Sequence, residues 1–95
     1  MTAQRERRQH LRKTFNMSVE AFDALAANQD GKCAICKRPP NGRALDVDHC
    51  HETGRIRGLL CNACNRAVGA LQNDAVRCKA AADYLTANPA SRIHS

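Results

Sequence analysis

Two Cys-x-x-Cys pairs, Cys33-Ala-Ile-Cys36 and Cys61-Asn-Ala-Cys64, constrain this chain more than any other feature. Two residues between thiolates let one tight turn aim both sulfurs at a single ion about 2.3 Å away, and a second such turn completes a tetrahedron. The pairs are separated by residues 37 to 60, so they read as two knuckles of one structural Zn²⁺ site, held by Cys33, Cys36, Cys61 and Cys64. The rival reading is a disulfide framework. The opening MTAQRERRQHLRKTF is basic and lacks the apolar stretch of a secretion signal, which points to reduced thiols. A staple is also needed. Ninety-five residues make one small domain, and its aromatics are Phe15, Phe22 and Tyr84 alone. A core that thin is usually supplemented by disulfides, a metal or a partner chain.

The charge points to a polyanion. Fifteen Lys and Arg against nine Asp and Glu give +6; a Zn²⁺ on four thiolates carries −2, so the loaded domain carries +4. The excess is concentrated at the start, in Arg5, Arg7, Arg8, Arg12 and Lys13 against Glu6, where one helix face could lie along phosphates. A solvated arm is the bland alternative for that segment. No apolar run approaches the roughly 18 residues of a membrane span, so no membrane partner is expected and a cytoplasmic setting is. No low-complexity tract suggests a disordered chain.

Local signals give the element order. A basic helix is predicted over about 4–14 within an N-terminal segment 1–16. Ser18 reads as an N-cap, with Met17 and Phe22 at the two positions of a hydrophobic staple, and Val19, Phe22, Leu25 and Ala26 form the buried face of a second helix that Asn28 to Gly31 ends. Leu45-Asp46-Val47-Asp48-His49 alternates as a short strand does, Glu52-Thr53-Gly54 is a turn, and Ile56 to Cys61 is the returning strand. A helix follows over 62–71, and a last one runs from near Asp74 to before Asn88-Pro89, leaving 88–95 as a tail. Cys78 shares a helical face with Ala75, Ala82 and Leu85 and reads as a core filler. The expected fold is a small, mostly helical α+β domain spanning 1–95. Its zinc-bound centre is 33–72, a zinc-stapled β-hairpin plus helix flanked by N- and C-terminal helices.

Within that centre, Asp48-His49-Cys50-His51 is dense in bases and ligands, and Asn65 follows Cys64 directly. A carboxylate and an amide carbonyl are hard oxygen donors suited to Mg²⁺ or Mn²⁺, and a neutral His can take a proton from water. Together these are the parts of a one-metal phosphodiesterase. One feature resists: in a regular strand Asp48 and His49 point to opposite faces, so the strand must bend or end there. Asp46, on the face of Asp48, is the fallback ligand. Arg55 and Arg57 flank the turn as phosphate contacts, with pairing of Arg57 to Glu52 as the bland alternative.

The tract from Cys33-x-x-Cys36 through Asp48-His49-Cys50-His51-Glu52-Thr53-Gly54 to Arg57-Gly58-Leu59-Leu60-Cys61-Asn62-x-Cys64-Asn65 closely resembles recombination endonuclease VII. That is a phage-type family of HNH (His-Me finger, ββα-metal) nucleases. The resemblance implies a DNA endonuclease in which Asp48 and Asn65 bind the catalytic divalent ion. It also implies that His49 is the general base, that His51 holds or protonates the phosphate, and that the four cysteines hold zinc. Position 50, commonly Asp in the family, is Cys here, which favours a small strand-edge residue over a ligand. Nicking of duplex DNA with little sequence reading is the expected activity. The alternatives are a junction-resolving homodimer, built through N-terminal helices with Leu11, Phe15, Phe22 and Leu25 as its apolar positions, and a non-catalytic zinc module binding nucleic acid. A redox or zinc sensor would require Cys-x-x-Cys in a βαβ setting, which the sequence lacks.

Overall fold

The computed structural model describes residues 2–87 and position 90, the side chains of 2–5 and 7 excepted. The side chain of Arg5 and the expected tail apart from position 90 thus lie outside the described residues. Four helices and one hairpin follow in the order α1 (Thr2–Phe15), α2 (Val19–Asn28), β1 (Asp46–His49), β2 (Ile56–Leu60), α3 (Asn62–Ala70) and α4 (Ala75–Ala87). The fold is small and α+β, as the patterning predicts. Among the described residues, no helix is long and apolar enough to cross a membrane.

The chain forms two compact units, Met1–Cys64 and Asn65–Ser95. In the first, α1 closes at Asn16, whose left-handed φ of 52° turns the chain. The Met17 N–H then reaches back to the Leu11 carbonyl at 3.1 Å. Ser18 caps α2 by accepting from the Ala21 N–H at 3.0 Å. Met17 and Phe22 flank that cap, and both are buried, as a staple requires. The core gathers Leu11, Met17, Phe22, Cys33, Leu45, Leu59 and Leu60, with Phe15, Val19, Leu25, Ala26, Val47 and Ile56 packed against it. Leu11, Phe15, Phe22 and Leu25 are therefore used inside the subunit. Leu11 and Phe22 are buried there, and Phe15 and Leu25 are half-buried against the same core.

β1 and β2 pair antiparallel, Asp46 with Leu60, Val47 with Leu59 and Asp48 with Gly58, but His49 pairs with Ile56. Arg57 is the residue skipped, so the ladder carries a bulge between Asp48 and His49. A side-chain amide extends this narrow sheet. Gln29, at the C-terminus of α2, donates from Nε2 to the Leu59 carbonyl at 2.9 Å and accepts the Leu59 N–H on Oε1 at 2.9 Å. Gly58 leaves room for it, since a Cβ there would stand 3.1 Å from that Oε1.

In the second unit, α3 ends in a turn through Gln72 and Asn73, both left-handed. Asp74 caps α4 by accepting the Val76 N–H on Oδ1 at 2.9 Å. The core role expected for Cys78 needs correcting. No residue of α4 is buried, Cys78 is only half-buried, and Leu85, on its expected inner face, is 76% exposed. Helical periodicity marks a face, but this unit supplies too little apolar surface to cover it.

Candidate functional site

The four knuckle sulfurs converge within the first unit. The thiol sulfurs of Cys33, Cys36, Cys61 and Cys64 all lie within 4.8 Å of one another, and those of Cys36 and Cys61 are 3.8 Å apart. A tetrahedral ion with bonds of about 2.3 Å holds its sulfurs about 3.8 Å apart, so the cluster has the size that Zn²⁺ requires. Backbone turns aim the thiols. The Ile35 N–H points at Cys33 Sγ and the Cys64 N–H at Cys61 Sγ, each at 3.4 Å. Lys37 takes a left-handed φ of 64° to close the first knuckle, and the Ala34 N–H ties that knuckle to β2 through the Leu59 carbonyl at 3.1 Å.

Charge within the cluster argues for a cation. Burial pushes the Cys33 thiol up, but backbone hydrogen bonds from Cys61, Cys36 and Ile35 outweigh it and lower the group to about 6. Burial, hydrogen bonds to the other three cysteines and the charge of Cys33 push the Cys64 thiol up to about 12. One thiolate, at Cys33, is thus welcome, and its charge helps to oppose a second at Cys64. Only a bound cation lets all four be thiolates together, and soft sulfur donors suit zinc.

The residues singled out on the hairpin are only partly brought together. His49, half-buried at the end of β1, lies between two rings: Phe15 of α1 at a centroid distance of 5.7 Å and His51 at 5.0 Å. His51 is exposed. Asp48 is gripped by Arg57, which donates from Nε to Oδ2 at 2.8 Å and from Nη2 to Oδ1 at 2.9 Å. Through this fork the carboxylate holds the guanidinium pKa above its ordinary value. Arg57 thus forks onto the carboxylate expected to hold an ion, a pairing the sequence reading did not contain. Asp46, the fallback ligand, pairs with Arg43.

The Cys50 to Arg55 turn is tight. The Cys50 N–H donates to the Arg55 carbonyl at 2.8 Å, and Gly54, at φ 76°, donates to the Cys50 carbonyl at 2.7 Å. Hydrogen bonds from the Thr53 hydroxyl, then from the backbone of Thr53 and Glu52, lower the Cys50 thiol below its ordinary value. An open recess of about 430 Å³ on this turn is lined by Cys50, Thr53, Arg55, Ile56 and Arg57. Arg8 and Arg12 are exposed on α1. Asn65 is the fourth residue of α3, half-buried, and begins the second unit.

Sequence reasoning missed Gln29, the Phe15 contact and the Arg57 fork. Gly58 within a strand was the one available signal for the first, because a strand glycine often marks the close approach of another group.

A match over residues 8–87 to the family model of recombination endonuclease VII decides the relationship. The chain belongs to the recombination endonuclease VII family. A nuclease of this family is a hydrolase that binds DNA. Two similar curated proteins come from mycobacteriophages. The gene 59 protein of Mycobacterium phage D29 is 38% identical over 82 residues, covering 84% of this chain and 50% of that protein. The gene 59 protein of Mycobacterium phage L5 is 36% identical over 83 residues, with the same coverage of each. The chain therefore spans about half the length of these relatives.

Proposed function

We propose that this endonuclease VII family member is a metal-dependent DNA endonuclease of the HNH type that nicks duplex DNA with little sequence reading. The observation that carries the reading is the end of β1, opposite the bulge in β2. Asp48 and His49 are adjacent there, the His51 ring is 5.0 Å from that of His49, and Arg57 and Arg55 line one recess beside them. The bulge lies on β2, whose extra residue Arg57 forks onto Asp48, and β1 ends at His49, where alternation requires the strand to bend or end.

Asp48 and Asn65 are the oxygen donors we assign to Mg²⁺ or Mn²⁺. Their chemistry suits such an ion, because Mg²⁺ is usually held by one or two carboxylates plus substrate phosphates and water. Among the described residues, the acids and histidines near Asp48 form no closed cage of three or more ligands like that of the four cysteines. Bound there, the ion would act as a Lewis acid that neutralises the scissile phosphate and the leaving oxygen. His49 takes the proton of the attacking water, whose oxygen bonds to phosphorus as the bond to the leaving sugar oxygen breaks. His51 holds the phosphate or returns a proton to it. Arg55 and Arg57 at the turn, with Arg5, Arg8 and Arg12 on α1, supply phosphate contacts that make binding salt-sensitive. The zinc cluster fixes the end of β2 and takes no part in the chemistry.

One site holding one phosphate cuts one strand per visit, and paired cuts need a second copy at fixed separation. Since Leu11, Phe15, Phe22 and Leu25 are used within the subunit, the nicking reading stands ahead of junction resolution. Incubation with supercoiled plasmid tests the proposal. Nicked circles should form with Mg²⁺ or Mn²⁺ and not with chelator. His49→Ala should keep zinc and DNA binding yet lose roughly 10²-fold or more in rate. Undiminished cleavage by that variant removes His49 from the mechanism, and DNA binding with no cleavage under any divalent ion favours the non-catalytic module.

A further inference from the structure

We propose that Arg57 is a positioning residue that guards Asp48. It occupies the carboxylate until a backbone phosphate of DNA takes the guanidinium over, so that divalent-ion binding and DNA binding reinforce each other. The inference rests on the reading of Asp48 as an ion ligand. Three observations carry it.

The first is the fork itself. Nε meets Oδ2 at 2.8 Å and Nη2 meets Oδ1 at 2.9 Å, so both oxygens that an ion would use already face a cation. Two cations on one carboxylate oppose each other, and the opposition grows as water is excluded. The Asp48 side chain is only 13% exposed.

The second is the asymmetry of the pair. The Arg57 side chain is 37% exposed, nearly three times as much as its partner. It lines the same open recess as Arg55. An anion arriving at the turn therefore meets the guanidinium before the carboxylate.

The third is the chemistry of exchange. A phosphodiester presents two oxygens in the geometry that a carboxylate does, and a planar guanidinium binds either in the same bidentate way. Arg57 sits at the residue the ladder skips, where the backbone is tied less closely to β1 than in a regular strand. It can trade one partner for the other without breaking the pairing of Gly58 or Ile56. The traded guanidinium would then bind the substrate, and the carboxylate it leaves would face the ion.

By linkage, DNA that draws Arg57 away must tighten the ion, and the ion must tighten DNA by the same factor. The phosphate that ligates the ion also couples the two, so an arginine that merely braced the hairpin would leave the coupling unchanged on its removal. One that oriented Asp48 for the ion would give the opposite sign on removal.

The test follows Mn²⁺ binding by the electron paramagnetic resonance signal of the free ion. The whole zinc-loaded chain is used in a His49→Ala background, so that no DNA is cut. Each titration is run with and without a short DNA duplex, and an Asp48→Ala counterpart subtracts ions that the duplex holds by itself. DNA should tighten Asp48-dependent Mn²⁺ binding about tenfold when Arg57 is present. Arg57→Gln should bind Mn²⁺ more tightly than the parent without DNA, and DNA should then add less than it adds in the parent. Arg57→Lys keeps the charge without the planar fork and serves if the Gln variant does not fold; in it the effect of DNA should fall below that of the parent. Asp48-dependent binding with the DNA effect unchanged by either substitution overturns the guard alone, as does weaker binding in Arg57→Gln. Absence of Asp48-dependent Mn²⁺ binding overturns the ion reading and the guard together.

Discussion

Replacing Gln29 by Ala should cost far more than a residue at the end of a helix normally would. Its carboxamide makes three hydrogen bonds: from Nε2 to the Leu59 and Lys32 carbonyls, and from the Leu59 N–H to Oε1, all at 2.9 Å. Leu59 is fully buried. The Lys32 carbonyl lies on an exposed residue and would turn to water, and the Leu59 carbonyl keeps the Ala34 N–H at 3.1 Å. The Leu59 N–H is the group that loses the partner the side chain gives it. Two part-buried bonds at about 1 kcal/mol each, plus about 1–3 kcal/mol for a buried donor without a partner, place the loss at about 3–5 kcal/mol. Against a total of about 5–15 kcal/mol for a domain, that is a large share. The assay is urea unfolding of the loaded protein at fixed free zinc, because metal linkage would otherwise distort the comparison. Gln29→Glu sharpens the test. It keeps an acceptor for the Leu59 N–H but turns its second oxygen on two carbonyl oxygens, so it should be no better than Ala at neutral pH and should recover as acid protonates it. A loss below about 0.5 kcal/mol for Gln29→Ala would refute the reasoning, showing that the amide only rests on β2.

Zinc uptake at neutral pH should release at least one proton per ion, from the Cys64 thiol that its neighbours push up to about 12. Calorimetry in buffers of different ionisation enthalpy reads that number, and uptake without proton release would show that the thiols are not the ligands. Cys33→Ser, at a fully buried position, should lose both zinc and the cooperative fold, as circular dichroism with metal analysis would show. Phe15→Ala removes the ring 5.7 Å from that of His49. A contact of about 1 kcal/mol corresponds to about fivefold in the single-turnover cleavage rate with DNA affinity unchanged, and an unchanged rate in the folded variant would show that His49 is held without Phe15.

Features set by neighbours in the chain could be read from sequence. Met17, Ser18 and Phe22 stand within six consecutive residues, so cap and staple are local facts. The knuckle spacing works the same way, because each Cys-x-x-Cys is one turn, and only the meeting of the two turns needs the fold. What could not be read depends on partners far away or on counting along a ladder. Gln29 meets Leu59 across thirty positions, and nothing beside Gln29 announces it. The bulge at Arg57 comes from one skipped residue in the pairing with β1, to which composition is blind. Periodicity likewise shows that Leu11, Phe15, Phe22 and Leu25 form an apolar face, but not whether the same chain or a second copy covers it. It also placed Cys78 in a core that α4 does not build.

β2 explains how so thin a core can hold a site steady. Its Leu59 is tied on one side by the ladder to β1 and on the other by the Gln29 carboxamide and the Ala34 N–H of the first knuckle. Just past its end Cys61 joins the sulfur cluster. These ties converge on two or three residues, so they fix the strand with little apolar area. Across the same ladder stand Asp48 and His49, at the one place where the register breaks. Rigidity and irregularity are therefore neighbours. The cysteine-cluster end of the hairpin is clamped, and the turn end carries the bulge and two arginines. Perturbing the clamp should remove fold and site together, whereas perturbing the turn end should change the chemistry and leave the zinc in place. Such a division would let a structural metal at the four cysteines hold the shape without constraining the ion and phosphate proposed for the turn end.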